Sequence, residues 1–432
     1  MLIIKGIELL FRVLLKPANN NHFVARHSLL NNVNFRLPEK ANLDALIGLR
    51  VWWDCWKKYY NRTDPFIPIL KQGNFLILDA NKSFFEQDKY YYSRLGGKPF
   101  GYAAKDQLLG YGMSSFLFFV YMLTLGLFFS LVPTFSKSNR SNKALLNVFF
   151  LEDIGLLKLM EEKNIKILHD HVQYENDSNF LYLMLHKIGV THNKFPSPGP
   201  LKTHNQNLIC DNLYLNNPYQ EEELNIYSET IIFRNSKKIA SENTFLFWDV
   251  YKKHPIPPKN TLGFYSHGAW LRKKEGHKED GLNILESEIE TLKIIPKIIG
   301  QSKGVFLHPK EKKDLRGTKN FYFNYDKAFV FLNEEHSSNA LFADIEYGIG
   351  AFSTILFERL FCGYKTFFYR SEKDDFPRKD SSIYKISFSN AEELNELINE
   401  SSGMDEYEFF NHFGLNEYAN WTFELENYGW NH

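Results

Sequence analysis

Cysteine is scarce in this sequence: Cys55, Cys210 and Cys362 are the only three in 432 residues. They lie far apart, with no Cys-x-x-Cys spacing, so neither a zinc motif nor a disulfide framework is available and a reducing compartment is the expected setting. Charge of one sign is not in surplus either, since 51 basic residues face 51 acidic ones. That balance removes the electrostatic case for nucleic-acid binding. Glycine motifs are thin. Gly348-Ile349-Gly350 lacks the third glycine and the downstream acid of a dinucleotide fingerprint, and no repeat of solenoid period is present. The apolar stretch Met1 to Pro17 is broken by Lys5, Glu8, Arg12 and Lys16 and has no small-residue cleavage site, which argues against a signal peptide. Ile3, Ile7, Leu10 and Leu14 can share a helical face there, as an interfacial helix or as an ordinary docking helix.

The longest absence is of charge: none occurs from Gln107 to Ser136, and Phe116 to Val132 is almost continuously apolar. About 20 such residues suffice to cross a bilayer core. Lys137, Arg140 and Lys143 follow, a cytoplasmic-type flank. The expectation is a candidate membrane helix over 113–133, with a helix buried in the protein as its alternative, and work at a membrane surface in either case. Trp52-Trp53-Asp54-Cys55-Trp56, continuing to Tyr60, reads as a packed helix in preference to an interfacial aromatic belt.

What is present is ordinary globular material, 44% apolar and 24% charged, long enough for two domains and an extension. The expected organisation is an N-terminal extension over 1–140, a first Rossmann-like, acceptor-binding domain over 141–258 and a second, donor-binding one over 259–432. In the first, Ala144 to Leu151 reads as a buried parallel strand closed by Glu152-Asp153, with helical spacing from Ile154. A second strand, Ile165 to Leu168, ends in His169-Asp170-His171, and a helix follows over Asn179 to Ile188. The loop Phe195 to Leu201 is too proline-dense for a regular element, and a strand runs from Asn207 to Leu215. After a break at His254 to Lys259, the second unit opens with the strand Leu262 to Ser266 and the turn His267-Gly268. A helix capped by Asp280 is predicted through Ile299, a strand over Val305 to Leu307, a helix from Ser353 to Phe361, a strand over Lys365 to Tyr369 and a helix over Ala391 to Glu400. This alternation gives the fold class: α/β, two Rossmann-like units facing a cleft.

In open α/β sheets ligands sit at the carboxyl ends of strands, and helix starts attract phosphate. His308-Pro309 closes one predicted strand of the second unit. Ser353 and Thr354, just past Gly348 and Gly350, open a helix after another. His308, as a donor or as an imidazolium, could hold a phosphate oxygen of a nucleotide leaving group. Glu358, one turn beyond Thr354, could accept from ribose hydroxyls. Ser266 and Gly268 stand at a third strand tip suited to the same phosphate.

A strand ending in His-Pro, then a Gly and Ser/Thr turn opening a helix with an internal Glu, resembles the C-terminal half of GT-B glycosyltransferases, nearest the bacterial sialyltransferase-like enzymes and the CDP-glycerol glycerophosphotransferases. The resemblance covers residues 262–430 and, more faintly, 144–260. It implies phosphate contacts for His308, Pro309, Ser353 and Thr354 and a ribose contact for Glu358. The acidic-acidic-Gly motif that carries the base in sialyltransferase-like enzymes is missing from the first unit. Glu279-Asp280-Gly281 lies in the second and reads as a helix start. The base must then come from first-unit strand tips. Glu152 and Asp153 are the first choice, and His169 and Asp170, with His171, the second. His169-x-His171 lacks the carboxylates of a metal site, so neither a metal nor a cofactor is expected. The expected activity is inverting transfer of a sugar from a nucleotide-sugar donor, CMP-linked donors included, to a glycan or lipid-linked acceptor in bacterial surface-polysaccharide (lipopolysaccharide or capsule) synthesis, at the cytoplasmic face of the inner membrane. Polyol-phosphate transfer by the same fold and a non-catalytic assembly role are the alternatives.

Overall fold

The computed structural model describes residues 2–31, 37, 39–68, 73–79, 99–136, 138–172, 178–196, 199–201, 207–215, 217–239, 259–276, 283–335 and 338–419. Two sheets organise it. The first takes seven strands, β1 (Phe66–Pro68), β2 (Phe75–Asp79), β3 (Pro99–Ala104), β4 (Ile167–Asp170), β5 (Thr191–Lys194), β6 (Leu208–Leu215) and β7 (Ile231–Ile239), in the order β1-β3-β2-β4-β5-β6-β7. All neighbours are parallel except β1, which runs antiparallel to β3 at the edge. The second takes β8 (Lys259–Tyr265), β9 (Ser302–Phe306), β10 (Val330–Phe331), β11 (Ile345–Gly350), β12 (Thr366–Tyr369) and β13 (Ser387–Phe388), all parallel, in the order β10-β9-β8-β11-β12-β13. Parallel sheets bury both faces, so their strands are continuous apolar runs. Phe75-Leu-Ile-Leu-Asp, with every residue buried, is the clearest. The α/β class holds, with a large apolar core against each sheet and a smaller one, around Leu208, Leu213 and Ile231, on β6 and β7 of the first.

Two expectations are corrected. Residues 144–151 are helical: the helix Arg140–Ala144 is followed by Leu146–Glu162, in which all but Lys158, Glu161 and Glu162 are buried. An apolar run has no period that separates a buried strand from a helix covered on every side. This helix also approaches backbone closely at Gly155, where a Cβ would stand 1.9 Å from the Leu108 carbonyl oxygen. The second correction concerns the boundary at 140. β1, β2 and β3 belong to the same sheet as β4 to β7, with β2 paired to both β3 and β4. The helices Leu2–Leu15, Asn20–Asn31 and Ile47–Asn61 share that sheet's core with Leu146–Glu162. The first 140 residues are thus part of the first unit and not an extension to it. The N-terminal helix is a docking helix: Leu2, Leu9, Leu10 and Val13 are buried, and a Cβ at Gly6 would strike Ile154.

In the second unit, Asp280 and Gly281 lie outside the described residues. The helix there spans Ile284–Ile294 and gives way to a 3₁₀ turn at Pro296, short of Ile299, because a proline removes the donor that the next turn needs. The two units meet at carboxyl ends. A Cβ on Gly199, beyond β5, would lie 3.1 Å from Thr354 Cγ2, beyond β11. Tyr219 packs on Phe357 and Phe376, and Arg378 donates to the Glu222 carbonyl.

Candidate functional site

At the carboxyl edge of the second sheet three neighbouring strands end side by side. β8 lies between β9 and β11, so the exits at His308 and Ser353 stand on either side of Ser266–Gly268, about 10 Å apart at ordinary strand spacing. The first exit is fixed by Glu311. Its buried carboxylate accepts the His308 amide at 2.8 Å, the Tyr322 hydroxyl at 3.0 Å and the Trp270 indole N–H. Burial raises its pKa against those donors.

The His308 ring lies over Gly268, where any Cβ would come within 3.1 Å of it; the positive φ of 69° makes the same demand for glycine. Nδ1 faces the Lys310 amide at 3.2 Å, and Nε2 faces Arg272 Nη2 at 3.4 Å. Burial first, then Arg272 and Lys310, lower the imidazole pKa to about 3. The ring of the free protein is therefore neutral at physiological pH, which favours the donor role over the imidazolium. A neutral ring accepts at one nitrogen only. With the shorter contact at Nδ1, Nε2 carries the proton, and two donors, Nε2–H and the guanidinium, converge without an acceptor between them. Arg272 Nε is buried with no hydrogen-bond partner, and no described carboxylate pairs with Arg272. Lys310, half-buried close by, has its pKa lowered by burial and by Arg272. Donors and positive charge gathered in this way are suited to holding an anion.

Ser266 and Gly268 do not serve it as expected. The Gly268 amide donates to Ser266 Oγ at 2.9 Å, and Ser266 Oγ donates to Glu288 at 3.3 Å. Glu288 also takes the His267 and Ala269 amides. The N–H groups of this turn are spent inside the protein, and Ser266 and Gly268 shape the turn. Glu288 is buried, and burial, then the nearby Glu311, raise its pKa to about 8.

Ser353 stands at the N-cap of Thr354–Phe361 in extended backbone, and its side chain does not cap its own helix. Thr354 touches the first unit at Gly199. Glu358 is half-buried one turn on. The helix is pinned by Arg359, fully buried, which donates to the carbonyls of Phe342 at 2.7 Å, Ile345 at 2.6 Å, Lys365 at 3.3 Å and Glu346 at 3.3 Å. Gly348 exists for it: a Cβ there would be 2.5 Å from Arg359 Cδ. Pro309 is exposed beside His308. A cavity of about 350 Å³ opens past β12, lined by Ser287, Glu290, Tyr369, Arg370 and Ser389 among others.

Across the cleft, Glu152 and Asp153 end no strand. Both are buried mid-helix, with Asp153 3.8 Å from Lys105 Nζ. Asp170 does end β4, but it is held by His192 Nε2 at 2.9 Å, Lys194 Nζ at 3.2 Å and the Val172 amide at 2.9 Å. Burial would raise its pKa, yet Lys194 and the His192 hydrogen bond outweigh that and keep it well below the carboxylate range. It is a structural anion, too weakly basic to take an alcohol proton. His169 is sandwiched by Phe75 and Phe195 and kept neutral by burial and by His171. His171 stacks on Phe195 at the strand tip. Its amide bonds the Leu78 carbonyl at 2.8 Å, so it neighbours Asp79, the last residue of β2. Asp79 is the acid that reading the sequence missed, although the apolar run Phe75 to Leu78 closed by an Asp carries the signal of a strand tip. Arg272 was missed because Arg-Lys-Lys on a short helix reads as a solvated surface. Among the described residues, no three His, Cys, Asp or Glu side chains gather as a metal site.

No family model matches this chain, and no curated protein matches it. Among solved structures it is similar to UDP-GlcNAc 2-epimerase from Methanocaldococcus jannaschii in complex with UDP-GlcNAc and UDP, with 12% identity over 77% of this chain and 93% of that one and a TM-score of 0.42. It is also similar to MurG of Acinetobacter baumannii, with 9% identity over 81% and 96% and a TM-score of 0.39. The wall teichoic acid polymerase TagF gives 11% identity over 86% and 89% and a TM-score of 0.37. The two parallel α/β units are established by the strand order itself and do not depend on these likenesses.

Proposed function

We propose that this chain is a glycosyltransferase that binds a nucleotide-sugar donor by its phosphate at the carboxyl edge of the second sheet. One observation carries the reading: Arg272 Nη2 and His308 Nε2 converge at 3.4 Å beside Lys310, and among the described residues no carboxylate closes an ion pair with Arg272 or Lys310. A phosphate oxygen supplies the missing acceptor and the missing negative charge. In the transfer, an acceptor hydroxyl oxygen forms the bond to the anomeric carbon as the bond to the phosphate oxygen breaks. The electron pair leaves with the phosphate, where Arg272, Lys310 and the neutral His308 N–H stabilise it. The acceptor proton goes to a base on the first sheet, and Asp79 and His171, adjacent at the tips of β2 and β4, are the groups we assign. Serine hydroxyl and helix start at Ser353–Thr354 add to the donor phosphate site. The acceptor in this reading is a glycan or lipid-linked hydroxyl of surface polysaccharide synthesis.

A thermal-shift screen against CMP, CDP, UDP and GDP tests it. Saturation at about 100 times Kd should add ~2.7 kcal/mol of stability for the cognate nucleotide, and Arg272→Ala and His308→Ala should each abolish most of it. No stabilisation by any of the four sinks the reading. Phosphorus retained in the product would identify polyol-phosphate transfer instead.

A further inference from the structure

The uncharged segment forms a helix over Ser115–Phe135, 21 residues with a mean hydropathy of 2.2 in its most apolar window, of which only 33% is buried. It is apolar all round and covered on one side. Phe118, Met122, Gly126, Phe129 and Pro133 point inward at helical spacing. Phe116, Phe119, Leu123, Phe128 and Leu131 point outward, and Phe116 is 73% exposed. An outward stripe of this kind needs a cover.

Its length would allow it to cross a bilayer, but its bonds hold it to the protein. At the π-helical turn Met122–Gly126, the Met122 carbonyl accepts the Trp52 indole at 2.8 Å. The Gly126 carbonyl accepts Asn147 Nδ2 at 2.8 Å, and Tyr121 donates to Asn147 Oδ1 at 2.9 Å. Gly48 lets the neighbouring helix seat directly on the Ser130 carbonyl, which a Cβ would approach to 2.1 Å. Crossing the bilayer would strip away every one of these.

The polar groups along the stripe are satisfied within the helix. Thr124, the polar residue on the exposed side, donates its Oγ1 to the Val120 carbonyl at 2.7 Å. Lipid requires such internal satisfaction, whereas a protein partner would be met by polar groups at a rim. At one end Phe119 packs on Trp56, which stacks on Tyr60, 61% exposed. Amphipathic aromatics in that position suit the headgroup level.

We infer that this helix lies in the plane of a membrane and inserts its outer stripe into one phospholipid leaflet without crossing. The inference stands apart from the transfer reading. The test is flotation of the full chain with vesicles of equal parts phosphatidylethanolamine and phosphatidylglycerol. The wild type should float, and Phe119→Gln combined with Phe128→Gln should lower binding by about tenfold or more. Both positions are exposed, so an unchanged melting temperature confirms that the variant folds. The three native cysteines are buried, so Leu123→Cys takes a single fluorophore, which should be quenched most by bromine high on the acyl chain. Quenching greatest at the bilayer midplane would mean a span, and equal flotation of variant and wild type would mean that another surface binds. A wild type that fails to float but is a dimer, dissociated by the double variant, would assign the stripe to a second copy. Each of these three results overturns the inference.

Discussion

At the carboxyl edge of the first sheet Asp170 is met by His192 and Lys194, and Asp153 by Lys105, all buried. At the same edge of the second sheet Arg272 and Lys310 crowd a neutral His308; Glu288 acts on Arg272 and Glu275 on Lys310, but among the described residues no carboxylate forms a close ion pair with either cation. The two edges use the same residue types, yet one arrangement is closed and the other open. Paired charges hold strand ends in register. Charges without a close partner where strands end mark where a ligand of opposite sign belongs.

The largest effect should follow from opening the closed edge. Asp170→Asn leaves Lys194 buried with its charge uncompensated, which should cost about 3–5 kcal/mol in chemical denaturation. A loss below about 1 kcal/mol would mean that the network is not ionic. On the open edge, Arg272→Gln should do the reverse. The ligand-free melting midpoint should hardly move, while nucleotide affinity falls about 10- to 100-fold, as removal of a charged hydrogen bond predicts. The His308 imidazole, followed by NMR, should titrate higher in that variant, though still below its ordinary value, because burial is the larger cause of its shift. A separate effect is the pH dependence set by Glu288. It keeps its proton to about pH 8 when folded and loses it near its ordinary value of 4.5 when unfolded. The folded state then binds more protons between those limits, so stability falls as pH rises through them. Glu288→Gln should flatten that slope, and an unchanged slope would assign it elsewhere.

Much of the second unit was legible because Val305 to Leu307 and Lys365 to Tyr369 are apolar runs closed by polar turns, and because Ser353 precedes an amphipathic run. The first unit was misread at one place with large consequences. Ala144 to Leu151 lacks any period that distinguishes a strand from an enclosed helix, and taking it as a strand moved the presumed strand tip to Glu152 and Asp153. The true tip acid, Asp79, lay in what was read as an extension. His308 was found from its turn, but its protonation was not legible, since burial and the approach of Arg272 from a separate helix are tertiary facts. Ser266 and Gly268 were assigned a phosphate that their turn's amides do not face, because Glu288, about 20 residues away, takes those of His267 and Ala269.

Arg359 has a consequence for how this edge responds to its surroundings. Guanidinium stays charged at every pH a protein survives, and the carbonyls that hold it do not titrate. The β11 exit is therefore indifferent to acid and base, whereas the neighbouring β8 turn hangs on a carboxyl that changes state near pH 8. One lip of this edge is proton-sensitive and the other is not, so a rise in pH should tighten the His267 and Ala269 amides onto a newly charged Glu288 while Ser353 and Thr354 keep their station.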